Sequence, residues 1–229
     1  MSLHAIVFDF DGVIANSEPL HFRAYKEVLA EDGFAFTEHE YYTRYLGFDD
    51  VGVFEAIAAD RGLAWSSSAV AALIERKAVR LEALEHGMSV LFPGAAAAIR
   101  RASAAVPIAI ASGARREEIR RVLEREQLIA HFSAIVSAED TPISKPAPDP
   151  YLRALAQLRA ATGSNIAAGT SVAIEDSRWG LESARAAGMR TVAVTNTYEK
   201  PALDATADLV IPSLEAMDLE VLAELCFEG

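Results

Sequence analysis

The chain has 229 residues, 52% of them hydrophobic, and a formal net charge of −12 at pH 7. The apolar content is enough for a packed core, so a largely disordered chain is excluded, and the length suits one domain or a domain with a smaller insert. The negative charge argues against nucleic acid or an anionic membrane as the main partner, and no window is long and apolar enough to predict a membrane-spanning helix.

The first predicted element is a β-strand at residues 4–9, in which an apolar run leads directly into Asp9. Asp11 and Gly12 follow at once, so two carboxylates lie one residue apart at the end of a strand that is predicted to be buried. Like charges this close raise each other's pKa, and burial adds a desolvation cost. The pair therefore predicts a positive partner at this place.

The next segment, residues 16–91, has the pattern of an all-helical insert. Its periodicity predicts helices at about 17–32, 38–45, 50–61 and 67–86, with no strand between them. Glycine and proline residues mark both joints of the segment. We therefore expect residues 1–15 and 92–229 to form one core domain and residues 16–91 to form an α-helical cap domain inserted into it.

The rest of the chain alternates between strand and helix patterns. Short apolar runs predict further strands at 106–112, 133–137, 171–175, 191–195 and 208–211, and helical patterns lie at 94–104, 115–127, 150–161, 178–187 and 214–225. Continuous apolar runs are typical of strands buried on both faces of a parallel sheet. The alternation predicts an α/β core with a doubly wound, Rossmann-like parallel sheet.

Polar residues that can carry chemistry follow several of the predicted strands. In an open parallel sheet, ligands bind at the carboxyl ends of the strands, so these residues are expected along one edge. The residues in question are Asp9, Asp11, Ser112, Gly113, Lys145, Glu175 and Asp176. Four acids beside one lysine would repel one another, and a hard divalent cation such as Mg²⁺ removes that conflict. Asp9 and Asp176 are its obvious ligands.

The same residues suit phosphoryl transfer. An ionised Asp9 aimed at phosphorus can act as a nucleophile, and Asp11 can protonate the leaving oxygen and later activate water. Ser112 and the N–H groups of the loop that follows it, at Gly113 and Ala114, can bind phosphate oxygens. Lys145 can hold both the nucleophile and the phosphoryl charge.

In their order along the chain, these residues resemble the motifs of the haloacid dehalogenase superfamily of phosphotransferases. "DFDGV" resembles its first motif, "ASG" its second, "KPAPDPY" its third and "IEDS" its fourth. The resemblance implies that Asp9 is the nucleophile and Asp11 the general acid/base, with Asp11 also giving the metal its backbone carbonyl. It implies that Asp176 is a direct Mg²⁺ ligand and that Glu175 binds the metal or supports it. The helical insert resembles the family's cap of the first type.

The insert also resembles that of the β-phosphoglucomutase branch of this superfamily. "LHFRAYKEVL" is similar to the first cap helix of that branch and puts His21 in the matching place, while Gly47 and Lys77 match two further positions. The resemblance implies that these three residues bind substrate; for His21 and Lys77, packing at the joint between the cap and the core is the alternative. Where the mutase has an arginine that grips a distal phosphate, this chain has Asp50. A charge-assisted contact to phosphate is worth roughly 1.5–3 kcal/mol, so its loss favours hydrolysis over mutase activity.

The expected function is Mg²⁺-dependent hydrolysis of a small phosphate monoester, a sugar phosphate or similar metabolite, through an aspartyl phosphate. A β-phosphoglucomutase-like phosphotransferase, a 2-haloacid dehalogenase and a non-catalytic binding protein remain as alternatives; the dehalogenases are similar but lack the second aspartate, which Asp11 supplies here. The single cysteine, Cys226, allows no intramolecular disulfide and favours a reducing compartment, so we expect a cytoplasmic protein. A monomer is expected, with a dimer left open.

Overall fold

The computed structural model describes residues 3–227, whose six strands form one entirely parallel sheet. In chain order they are β1 Ala5–Phe8, β2 Ile108–Ala111, β3 Ala134–Val136, β4 Ser171–Glu175, β5 Arg190–Val194 and β6 Leu209–Ile211. The order across the sheet is β3-β2-β1-β4-β5-β6. All six predicted strands and the doubly wound topology are confirmed.

Ten α-helices accompany the strands within the described part of the chain. They are α1 Glu18–Glu31, α2 Glu38–Glu40, α3 Asp50–Arg61, α4 Ser67–Glu85, α5 Ala95–Ala105, α6 Arg116–Arg125, α7 Asp149–Thr162, α8 Arg178–Ala186, α9 Lys200–Leu203 and α10 Leu219–Leu225. No helix among the described residues is long and apolar enough to cross a membrane.

Two helix predictions differ from the structure, and one helix of the structure is not predicted. The single helix predicted over 214–225 is wrong, because Asp218 has an extended backbone and accepts a hydrogen bond from the N–H of Glu220, so it ends a 3-10 turn and caps α10. The helix predicted over 38–45 is one turn of α-helix followed by a π-helical turn at Tyr41–Tyr45. Helix α9 was not predicted from the sequence.

The core strands are buried on both faces because helices cover them. Every residue of β1, β2 and β4 is buried, which explains their continuous apolar sequences. On one face, Val7 and Ala109 belong to a buried cluster with Tyr151, Leu155 and Leu158 of α7. This packing fixes α7, and with it the preceding loop that carries Lys145, against the sheet.

The sheet order reverses at β1. The chain first adds β2 and β3 on one side of β1 and then adds β4, β5 and β6 on the other. In such a sheet the two outward-running connections leave a crevice beside the carboxyl ends of the central strands. Phe8 at the end of β1 pairs with Ile110 of β2 and Ile174 of β4, so the segments after these three strands begin next to one another.

The chain divides into two compact units. One contains the described residues up to Asn16 and from Leu91 onward, which include the whole sheet, and the other contains Ser17–Val90. The helical unit has its own core of aromatic rings, in which Tyr25 meets Phe54 edge-on at a centroid distance of 5.3 Å. Within it, Arg76 of α4 forms ion pairs with Glu31 and Asp32 at the end of α1.

Candidate active site

Asp9 is the first residue after β1, and β4 holds its backbone in place. The N–H of Asp9 donates to the carbonyl of Ile174 at 2.9 Å, which extends the β1–β4 pairing by one residue. The side chain is almost completely buried. Ligand oxygens of Asp9, Glu175 and Asp176 all lie within 4.8 Å of one another, so the structure brings these three predicted acids together.

Lys145 supplies the positive partner that the sequence predicted. Its Nζ lies 2.9 Å from Asp9 Oδ1 and 2.6 Å from Glu175 Oε1, and its side chain is only 11% exposed. Burial by itself lowers the pKa of Lys145, but the two carboxylates outweigh it and raise that pKa above the ordinary value. Lys145 is therefore a permanent cation at this edge of the sheet.

Glu175 is completely buried and holds Lys145 in place. Its Oε1 accepts hydrogen bonds from Lys145 Nζ and, at 2.7 Å, from Tyr151 Oη, while its Oε2 accepts from the N–H of Asp176 and from Ser177 Oγ. Burial and the neighbouring carboxylates raise the pKa of Tyr151 well above its ordinary value, so the phenol remains a donor. These four donors keep the carboxylate in one orientation.

The acids at this edge of the sheet outnumber the buried cation, and the pKa of Asp9 is raised. Burial raises the pKa of Asp9 most; Lys145 opposes the increase, Glu175 adds to it, and the resulting pKa is about 6. Three clustered carboxylates face one ammonium group and offer hard oxygen ligands. A divalent cation bound there would balance their excess negative charge. The donor set fits Mg²⁺, which takes one or two carboxylates together with waters and phosphate oxygens.

Asp11 lies in a tight loop after Asp9, half-buried, and its side chain is not part of the three-acid group. The loop closes through a hydrogen bond from the N–H of Gly12 to the carbonyl of Ala15 at 2.9 Å. Gly12 has a φ of +75°, and a Cβ there would lie 1.9 Å from Asp176 Oδ2. Glycine is therefore required at position 12 both by the turn and by the carboxylate beside it.

The loop after β2 contains the second predicted group. Ser112 is buried, and its Oγ accepts a hydrogen bond at 3.1 Å from the N–H of Ala114. Ala114 is also buried, whereas Gly113 is exposed. The hydroxyl of Ser112 thus shapes the loop whose N–H groups were predicted to bind phosphate.

The predicted cap residues all lie in the helical unit. His21 is buried on α1, and Gly47 is exposed in a turn with a φ of +89°. Lys77 on α4 is completely buried, and its Nζ forms an ion pair at 2.8 Å with Asp50. Burial opposes ionisation of Asp50, but the charges of Lys77 and His21 outweigh it and hold the pKa of that carboxyl below its ordinary value. Tyr25 Oη also donates to Asp50.

Sequence reasoning missed several residues that shape the site. Tyr151 holds Glu175, Thr197 donates from the turn after β5 to Asp176 Oδ2, and Gly180 leaves the space that the Glu175 carboxylate occupies. A Cβ at Gly180 would lie 1.8 Å from Glu175 Oε1. Thr197 could have been identified from the sequence, because it closely follows a predicted strand whose carboxyl end lies at the same edge of the sheet.

The chain is similar to a family of known enzymes over most of its length. Residues 6–194 match the family model for haloacid dehalogenase-like hydrolases. The chain is 33% identical to Protein CbbY of Rhodobacter capsulatus, over 98% of this chain and 100% of that protein. It is 30% identical to hexitol phosphatase B of Escherichia coli strain K12, over 83% of this chain and 82% of that protein. The crystal structure of CbbY from Rhodobacter sphaeroides in complex with phosphate matches with a TM-score of 0.79 at 26% identity, covering 93% of this chain and 96% of that chain.

Proposed function

Because the chain belongs to the haloacid dehalogenase-like hydrolase family, we propose that it is a Mg²⁺-dependent phosphohydrolase that cleaves a small phosphate monoester through an aspartyl phosphate. The predicted membership of this family is confirmed. The observation that carries the proposal is the buried group of Asp9, Glu175 and Asp176 around the Lys145 ammonium. Such a group suits a cation and a phosphoryl anion, whereas in a purely structural core its desolvation would be costly.

Asp9 is the nucleophile in this proposal. Its carboxylate oxygen forms a bond to phosphorus while the bond between phosphorus and the leaving alcohol oxygen breaks, and Asp11 gives its proton to that oxygen. Asp11, now a carboxylate, takes a proton from water, whose oxygen bonds to phosphorus as the Asp9–phosphorus bond breaks. Inorganic phosphate leaves, Asp9 returns as a carboxylate and Asp11 returns protonated.

Two further residues stabilise the negative charge that moves through these steps. Lys145 contacts Asp9 Oδ1 and is held by Glu175, so its ammonium stays beside the reacting carboxylate without having to be reoriented. Ser112 orders the loop by accepting a hydrogen bond from the N–H of Ala114, and its own hydroxyl and the N–H of Gly113 would bind the phosphoryl oxygens. Both contributions are present before substrate arrives, which is the condition for effective electrostatic catalysis.

The proposed Mg²⁺ ligands are Asp9 and Asp176, together with the backbone carbonyl of Asp11, and Glu175 lies in the same group of acids. When bound, the ion would supply electrostatic stabilisation of the phosphoryl charge. Its charge would also lower the pKa of Asp9 from about 6 and keep the nucleophile ionised at neutral pH.

We place the substrate among phosphorylated sugars and related polyols. One relative is named as a hexitol phosphatase. In the helical unit, the charge of Lys77 is already balanced by Asp50 at 2.8 Å, so the pair offers no free cation for a second phosphate. A β-phosphoglucomutase-like reaction requires a grip on a bisphosphate intermediate, and the Asp50–Lys77 pair therefore favours the hydrolase.

A panel of phosphorylated sugars, polyols and short acids, assayed for phosphate release, tests the proposal. We expect release from at least one ester class with Mg²⁺ and loss of that release in EDTA. A mutase assay on a hexose 1-phosphate with a bisphosphate primer, and a halide-release assay on 2-haloacids without metal, should both be negative. Undiminished turnover in EDTA, or inactivity towards every ester, would contradict the proposal, and the latter result would favour a non-catalytic binding protein.

A further inference from the structure

The turn after β5, residues 195–198, has no part in the proposed reaction, yet two of its side chains contact the acidic edge. Asn196 Nδ2 donates to the carbonyl of Gly12 at 2.8 Å, and Thr197 Oγ1 donates to Asp176 Oδ2. Gly12 is 184 residues away from Asn196 in sequence, and Asp176 is 21 residues away from Thr197. The turn thus joins the loop after β1 to the segment after β4.

These contacts lie close to a single carboxylate oxygen, Oδ2 of Asp176. A Cβ on Gly12 would lie 1.9 Å from Asp176 Oδ2 and 3.0 Å from Thr197 Oγ1, so the backbone of Gly12, the hydroxyl and the carboxylate meet closely. Asp176 is buried. A buried carboxylate that accepts a hydrogen bond from a hydroxyl and packs closely against backbone loses little freedom when it binds a ligand.

We infer that Thr197 is a positioning residue that orients the Asp176 carboxylate for the divalent cation, and that the Asn196–Gly12 hydrogen bond holds the turn in place for this role. This inference rests on the proposed metal site. Removing a hydrogen bond that orients a ligating side chain typically weakens metal binding 10–100-fold, and we expect a loss in this range. Thr197 does not contact the reacting atoms, so its first effect is on the affinity for the metal.

The test measures Mg²⁺ affinity without substrate. Urea unfolding of wild-type protein and variants in a series of Mg²⁺ concentrations gives a Kd for each, because the stability gained depends on the ratio of free ion to Kd. This readout is independent of the metal-free stability of each variant. Thr197→Val, which keeps the shape and removes the hydroxyl, should raise the Kd roughly 10–100-fold, and Thr197→Ser, which restores a hydroxyl, should return it close to the wild-type value.

The same turn offers a matched control. Thr195 Oγ1 donates to the carbonyl of Pro212, away from the acidic group, so Thr195→Val makes the same chemical change and should leave the Kd unaltered. An unchanged Kd in Thr197→Val, or equal losses in both valine variants, would overturn the inference while leaving the proposed function intact. A wild-type protein that shows no stabilisation by Mg²⁺ would instead refute the metal site on which both depend.

Discussion

Asp9→Asn should make the metal-free protein more stable at neutral pH while abolishing turnover. The pKa of Asp9 in the folded protein is about 6, whereas its ordinary value is 3.8. Between these two values the folded state binds a proton that the unfolded state has released, so stability is lost as the pH rises through about 6. At neutral pH the ionised Asp9 is therefore a cost to the metal-free fold.

The size of that cost follows from the shift. A rise from 3.8 to about 6 is roughly two pKa units, and at 1.36 kcal/mol per unit the penalty is about 3 kcal/mol at most. Asparagine has nearly the same shape as the protonated acid and no charge to bury. We therefore expect the free energy of unfolding of the variant to exceed that of the wild type by up to about 3 kcal/mol at about pH 7.5, and by progressively less as the pH falls towards about 4.

Urea unfolding in EDTA across this pH range measures the difference in the free energy of unfolding between the variant and the wild type. Asp204→Asn is the control, because it makes the same chemical change at an exposed position. Added Mg²⁺ should stabilise the wild-type protein more than the variant, which lacks one proposed ligand, and so reduce the difference in stability between them. An Asp9→Asn variant that is less stable than wild type at about pH 7.5, or whose advantage does not depend on pH, would refute the electrostatic reasoning. Normal turnover in this variant would refute the assignment of the nucleophile.

Two further changes probe the packing behind the site and within the helical unit. Gly180→Ala should destabilise the protein by about 1–3 kcal/mol, because its Cβ would lie 1.8 Å from a carboxylate oxygen already fixed by hydrogen bonds. The control is Gly169→Ala, whose Cβ would meet nothing within 4 Å and which should be nearly neutral in urea unfolding. Equal effects of the two substitutions would contradict the clash. Lys77→Met should destabilise the protein by about 3–5 kcal/mol, because Asp50 would lose the cation 2.8 Å away. In the same assay, Lys26→Met at an exposed position should cost under about 1 kcal/mol. A Lys77→Met variant as stable as wild type would contradict the predicted cost of leaving Asp50 without its cation.

The sheet and the acids at its edge could be predicted from sequence because both depend on local patterns. Continuous apolar runs indicate strands that are buried on both faces, and all six predicted strands are present. Parallel strands end at the same edge, so Asp9 and Asp176 were expected on one side of the sheet. They are close together because β1 and β4 are neighbouring strands. The helix predicted over 214–225 failed for a local reason as well, since Asp218 can either continue a helix or cap one.

Sequence alone determined the composition of the site: a pair of aspartates after one strand, an acidic pair after another and a lysine before a helix. Only the tertiary structure decided what each side chain contacts. Tyr151 reaches Glu175, Thr197 reaches Asp176, and Lys77 is buried against Asp50 rather than left as a free cation. Each of these contacts joins side chains that are 21 to 27 residues apart, and whether they form depends on how whole helices and turns pack, which no local periodicity encodes.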